Sequence, residues 1–194
     1  MNKSGLIEEL KKECELCQNC ELGKTRTNIV FSSGDENSAK AILIGEAPGA
    51  NEDLTGTPFV GKAGKFLDKL LEEVGISREK DLYIINTVKC RPPKNRVPAK
   101  AEKEACRNFL IRQIEIINPK LLIFCGNTAL KSFVSNKGSF SSIRGKILDV
   151  NLNEKAYKGI AIYHPSYLMQ YATKEQIKMT KDDLKLIKKS INED

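Results

Sequence analysis

The stretch Ala41-Ile42-Leu43-Ile44-Gly45-Glu46-Ala47-Pro48-Gly49 limits what this chain can fold into more than any other. Four consecutive small or branched apolar residues predict a buried strand. Two glycines and a proline then force the backbone to turn sharply just past the strand end. In an open α/β sheet, ligands bind beyond the carboxyl ends of the strands, and Glu46 places a carboxylate there.

The rest of the chain alternates in the same way. Leu82–Ile85, Leu121–Cys125, Ile147–Val150 and Gly159–Tyr163 read as further strands. Ser4 is the expected cap of a short N-terminal helix. A second helix opens at Gly61-Lys62-Ala63-Gly64, carries Phe66, Leu67, Leu70, Leu71 and Val74 at helical spacing, and stops at Gly75. Others are expected from Pro98 to Ile117, from Gly126 to Val134, and at the C-terminus, where Ile177, Leu184, Ile187 and Ile191 share a side opposite lysines. The segment from Asn51 to Phe59 reads as a long polar loop. Strand–helix alternation predicts a mostly parallel sheet with helices on both faces. At 194 residues, the chain is expected to be one domain with a sizeable core.

Composition removes several classes. With 40% hydrophobic and 29% charged residues, the chain is globular rather than disordered. No apolar run approaches the roughly 20 residues of a membrane helix. The N-terminus lacks the apolar core of a signal peptide, so a cytoplasmic address, nucleoid-associated in a prokaryote, is the expectation. A net charge of +7 favours an anionic partner, although the C-terminal lysines also fit a solvated helix face. His164 is the one histidine, which excludes a multi-histidine metal centre.

Six cysteines in such a chain point to metal ligation rather than disulfides. Cys17-x-x-Cys20 is a ligand pair by spacing, and Cys90 and Cys106 complete a set of four thiolates. Four sulfurs suit tetrahedral zinc or a four-iron cluster, and spacing does not choose between them. Cys14 makes a second pair with Cys17, so the pairing is also open on spacing alone. Cys125, ending an apolar strand, reads as a small buried hydrophobe.

Three side chains qualify the turn at Glu46. Phe59 lies on a glycine- and proline-flanked loop, where a ring can serve the core or stack on a base. Asn86 ends the second strand, and its amide offers the acceptor and donor that match N3–H and O4 of uracil. His164 ends another strand, where an imidazole N–H can stabilise charge on a leaving group.

The ordered set Gly45–Gly49, Pro58-Phe59-Val60-Gly61-Lys62-Ala63-Gly64, Asn86-Thr87-Val88-Lys89-Cys90-Arg91-Pro92-Pro93 and His164-Pro165-Ser166-Tyr167-Leu168 resembles family 4 uracil-DNA glycosylases, the iron–sulfur type. The resemblance runs from Cys17 to the terminal helix. It implies a three-layer α/β/α fold around a central, mostly parallel four-stranded sheet, and one domain over residues 1–194 whose N-terminal segment is tied in by a 4Fe–4S cluster. It implies Cys17, Cys20, Cys90 and Cys106 as the cluster ligands, because Cys17-x-x-Cys20-Glu21-Leu22 followed by Arg26-Thr27 fits the family pattern and Cys14 does not. It further implies that Phe59 stacks on a flipped uracil, that Asn86 reads its edge, that His164 contacts it, and that Gly45 and Ala47 border it. Glu46 takes the motif position associated with catalysis. Related families place an aspartate one residue later, where this chain has Ala47.

The expected reaction is hydrolysis of the N-glycosidic bond of deoxyuridine in DNA, leaving an abasic site without strand cleavage, by a monomer with no membrane partner. Lys62, Lys89, Arg91 and Arg144 are expected on phosphates, with Ser166 at the duplex and Leu168 or Met169 as the apolar wedge. Two other classes compete. A non-catalytic nucleic-acid module on a four-cysteine site has no use for Glu46, Phe59, Asn86 and His164. An enzyme of free nucleotides leaves the cysteines unexplained.

Overall fold

The computed structural model describes residues 2–135 and 138–193. Helix α1 (Lys3–Glu15) is capped by Asn2, whose side chain accepts the Gly5 N–H at 2.9 Å. The cap thus lies two residues before the expected Ser4, which falls inside the helix. A short α2 (Leu22–Thr25) precedes β1 (Ala41–Gly45).

The segment after the turn is not the expected loop. It forms α3 (Ala50–Thr55), because Glu52, at the third helical position, accepts the Gly49 N–H at 3.1 Å and closes the first turn. Next come α4 (Lys62–Val74), β2 (Leu82–Asn86), α5 (Lys100–Ile117), β3 (Leu121–Cys125), α6 (Asn127–Lys131) and α7 (Phe140–Ile143). The chain ends with β4 (Ile147–Leu152), β5 (Lys155–Ile162), α8 (Pro165–Gln170) and α9 (Lys174–Asn192).

Among the described residues, five strands form one sheet in the order β2-β1-β3-β5-β4, one more than the four expected. All neighbours are parallel except β4 and β5. The additional strand, β4, is an edge: Val150 and Leu152 are buried while Asp149 and Asn151 face solvent. A two-residue turn with Asn153 at φ +51° joins it to β5, so it pairs antiparallel without a crossover.

The strand side chains alternate between two cores. Ile42 and Ile44 face the layer of α1 and α5, with Leu10, Leu110 and Ile114. Ala41 and Leu43 face the layer of α4 and α9, with Leu67, Leu71, Leu184 and Ile187. The α/β/α layering follows from this alternation. The chain leaves β1 toward β2 on one side, while β3 lies on the other, so the strand order reverses beside β1. That is where an open sheet leaves a crevice at its carboxyl edge. Among the described residues, no helix is long and apolar enough to cross a membrane.

Candidate active site and thiol cluster

Strand register assembles the site. Gly45 pairs with Asn86, and Cys125 with Ile162, so the turns after β1, β2, β3 and β5 end at one edge. Between them opens a cavity of about 410 Å³ lined by Glu46, Ala47, Phe59, Asn86, Asn95, Gly126, His164 and Ser166, among others. The four residues expected to form the site therefore converge on one space.

Phe59 adopts a left-handed backbone, φ +55°, which an aromatic residue holds only when its surroundings over-determine it. Arg78 supplies part of that restraint: its guanidinium donates to the Phe59 carbonyl at 2.8 Å and to the Pro58 carbonyl at 2.5 Å while pairing with Asp68 at 2.7 Å. Glu52 supplies the rest. One carboxylate oxygen accepts from Val60 N at 2.9 Å and Gly61 N at 2.7 Å, and the other accepts from Gly49 N. The carboxylate thus ties the Glu46 turn to the Phe59 loop. Glycine at 45 is required by close approach: a β-carbon there would stand 2.6 Å from the Phe59 ring and against the Asn86 side-chain oxygen. The ring serves both expected purposes, core and cavity wall.

Asn86 is 2% exposed, and its backbone is fixed on both sides. Thr87 N donates to the Gly45 carbonyl at 3.0 Å, and Thr87 Oγ1 donates to the Glu46 carbonyl at 2.6 Å. The Lys89 ammonium donates to the Asn86 carbonyl at 2.9 Å.

His164 caps α8. Its Nδ1 accepts the Ser166 N–H at 3.2 Å and lies 2.7 Å from Ser166 Oγ. An accepting Nδ1 puts the proton of the neutral ring on Nε2. Burial lowers the imidazole pKa below the usual histidine range, opposed by the nearby Glu46 carboxylate, so the ring is neutral at pH 7. Its centroid lies 6.1 Å from that of Phe59. Gly126, at φ +92°, lets β3 approach this ring, since a β-carbon there would meet His164 Cβ at 3.0 Å.

Three of the expected DNA contacts are corrected. Lys89 is 0% exposed; burial lowers its pKa to about 8, and its ammonium serves Asn86 rather than a phosphate. Arg144 forms a buried two-point pair with Asp183 and lies over the Tyr163 ring, which ties α7 to α9 and leaves no fork for DNA. Leu168 is 3% exposed in the core beneath α4 and α9, so it is not the wedge; Met169 beside it is 44% exposed. Lys62 is exposed, and Arg91 is half-buried, with its Nε on Asn95 Oδ1 at 2.8 Å.

Other residues were missed from the sequence. Glu52 carries a detectable signal, an acid three positions after a glycine helix cap. Arg78 carries none, because its partners lie about 10 to 20 residues away in sequence. Lys100, Lys103, Arg107 and Lys131 line a mainly basic groove with Glu104 and with Thr87, the neighbour of Asn86 in sequence, and its residues come from distant parts of the chain.

On the α1/α5 side, Cys14, Cys17, Cys20, Cys90 and Cys106 line one hollow with Arg26 and Lys89. Arg26 donates to the Cys17 carbonyl at 2.8 Å, to the Glu15 carbonyl at 2.8 Å and to Cys90 Sγ at 3.5 Å. Burial raises the Cys106 thiol to about 11 and Cys14 to about 12, with Lys89 opposing both shifts. Among the described residues, no three His, Cys, Asp or Glu side chains gather closely enough for a single metal ion. Cys125 is a buried hydrophobe, as expected, with its thiol pushed up by burial.

Comparison with known proteins gives a consistent family. The sequence model of the Uracil DNA glycosylase superfamily matches residues 31–188. The Type-4 uracil-DNA glycosylase of Thermotoga maritima is 42% identical over 190 residues, covering 97% of this chain and 96% of that protein. The Type-4 uracil-DNA glycosylase of Archaeoglobus fulgidus is 42% identical over 168 residues, covering 84% of this chain and 83% of that protein. A Type-5 uracil-DNA glycosylase of Pyrobaculum aerophilum is 30% identical over 151 residues, 70% of this chain and 64% of that protein. With this likeness over nearly its full length and a sheet edge that gathers Glu46, Phe59, Asn86 and His164, the chain belongs to the uracil-DNA glycosylase superfamily, in its type-4 family.

Proposed function

We infer that this chain removes uracil from DNA by hydrolysing the N-glycosidic bond of a deoxyuridine rotated out of the stack. The observation that carries the reading is the convergence of a ring, an amide and an imidazole N–H on one cavity over the sheet edge. Phe59 stacks on the base. Asn86 accepts from N3–H and donates to O4, while the backbone of Gly45 to Ala47 borders the ring. The His164 Nε2–H faces the uracil O2, where negative charge grows as the bond breaks; Ser166, by fixing Nδ1, keeps that proton in place. Glu46 positions water at the sugar or offsets the sugar's developing positive charge. Hydrolysis needs no lysine Schiff base, and the product is an abasic site in an unbroken strand.

Lys62 and Arg91 contact phosphates, Met169 is the wedge, and the groove of Lys100, Lys103, Arg107 and Lys131 extends the track for the backbone. The protein acts as a monomeric single glycosylase domain over residues 1–194.

The thiols suit a 4Fe–4S cluster, as the type-4 family resemblance implies: Cys17, Cys20, Cys90 and Cys106 line a common hollow, and Arg26 and Lys89 place two cations beside them. Cys17, Cys20, Cys90 and Cys106 would hold it, and the bound group would join the segment after α1 to the β2–α5 region.

The test is incubation of the purified protein with a uracil-containing oligonucleotide. Free uracil with an alkali-labile, otherwise intact strand is expected; no release by folded protein would sink the reading. An absorption band at about 400 nm tests the cluster, since zinc is colourless there.

A further inference from the structure

We propose that Cys14 is a reserve ligand of the thiol hollow, placed to take over the metal position of Cys17. The inference rests on the reading that this hollow holds an iron–sulfur cluster. A four-iron cluster uses four thiolates, and the hollow is lined by five.

Cys14 has the position such a role needs. It lies on the inner stripe of α1 with Ile7 and Leu10 and is 1% exposed, so the helix holds it in place. Cys17 follows one turn later, where Cys17 N donates to the Cys14 carbonyl at 3.1 Å as the helix ends. The spacing Cys14-x-x-Cys17-x-x-Cys20 offers two overlapping ligand pairs, and Cys17 belongs to both. The Cys14 side chain lines the same hollow as Cys17, Cys90 and Cys106, together with the buried Lys89. A thiolate at position 14 would therefore have both neighbouring ligands and a counter-charge. Cys17 and Cys20, by contrast, sit in the partly exposed segment after the helix, where oxidants and alkylating agents reach first. The exchange would need no redox partner: Cys14 would give up its proton as it became the ligand, Cys17 would take one up as it was released, and no electrons would be transferred.

The test compares Cys17→Ser, Cys14→Ser, Cys20→Ser and the Cys14→Ser/Cys17→Ser double variant, purified without air. Iron and sulfide per chain and the visible spectrum are measured, not activity. Cys14→Ser should match the unmodified protein. Cys17→Ser should keep at least about half the iron, with an altered spectrum, while Cys20→Ser and the double variant fall below about a tenth. The double variant separates Cys14 from the introduced hydroxyl as the replacement ligand. Iron in Cys17→Ser no higher than in Cys20→Ser or the double variant overturns the proposal. So does a Cys17→Ser chain that fails to fold where Cys14→Ser folds. Absence of iron from the unmodified protein is a separate result, which removes the cluster reading and this inference with it.

Discussion

The cavity at the sheet edge and the hollow beside α1 are held by different means. The chain ties the cavity wall by wall: Glu52 joins the turn after β1 to the Phe59 loop, Arg78 fixes that loop, Thr87 fixes the turn, and Ser166 fixes the imidazole. The hollow is walled by free thiols, with Arg26 bridging its sides through the Cys17 carbonyl and Cys90 Sγ. A site that meets its substrate transiently must present donors already aimed. A site whose occupant is permanent can leave its closure to that occupant, which then becomes part of the folding free energy.

This difference predicts that substitutions in one region change rate far more than stability, and in the other stability before rate. The largest effect is expected at His164. His164→Ala should lower kcat/KM by about 10²–10³-fold, as loss of an oxyanion donor does, with iron content unchanged and the unfolding midpoint lowered by only about 2–4 °C through loss of the α8 cap. A matching loss of iron would break the separation.

Cys90→Ser is the converse. Iron should be lost, and a stability loss of about 3 kcal/mol should lower the unfolding midpoint by roughly 6–12 °C at this chain length. The rate per folded molecule, measured well below that midpoint, should fall much less than in His164→Ala.

Glu52→Gln sharpens the comparison within the cavity. The carboxylate accepts three backbone N–H groups through two oxygens, and the amide has only one oxygen to offer. Losing one or more charge-assisted bonds should cut kcat/KM by about tenfold through misplacement of Phe59, with little change in iron.

The smallest effect concerns pH. The lowered His164 pKa means the folded ring is neutral where activity is measured, so the single-turnover rate should stay flat as pH rises from about 6.5 to 9. The folded chain binds this proton less tightly than the unfolded chain. Its contribution to stability is therefore present above the usual histidine range and lost as pH falls through the folded value. A rate that declines as pH rises past about 7 would assign the work to imidazolium instead.

Much of this arrangement was legible before folding because its signals are local. Apolar runs ending in Gly45, Asn86, Cys125 and just before His164 mark strand ends, and a parallel sheet brings strand ends to one edge. What stayed hidden depends on packing. Lys89 and Arg144 look like surface cations in sequence, but their burial is set by the neighbours Asn86 and Asp183. Leu168 and Met169 are adjacent and both apolar; only the direction of α8 separates a core residue from an exposed one. The edge strand β4 was read as a strand, but its place in the sheet depended on the antiparallel turn at Asn153. The left-handed Phe59 has no signature in its own residues, because bonds made by Arg78 and Glu52, both outside its loop, impose it.

The central claim is that the cavity reads a uracil edge through Asn86. The most direct measurement is the ratio of uracil to cytosine release from matched oligonucleotides by Asn86→Asp. Aspartate loses the donor that O4 needs and gains an acceptor that suits the cytosine amino group. The account predicts that the ratio falls by at least about 10³-fold relative to the unmodified protein, the scale on which a buried hydrogen-bonding site rejects a mismatched group. An unchanged ratio, whatever the absolute rates, would contradict it.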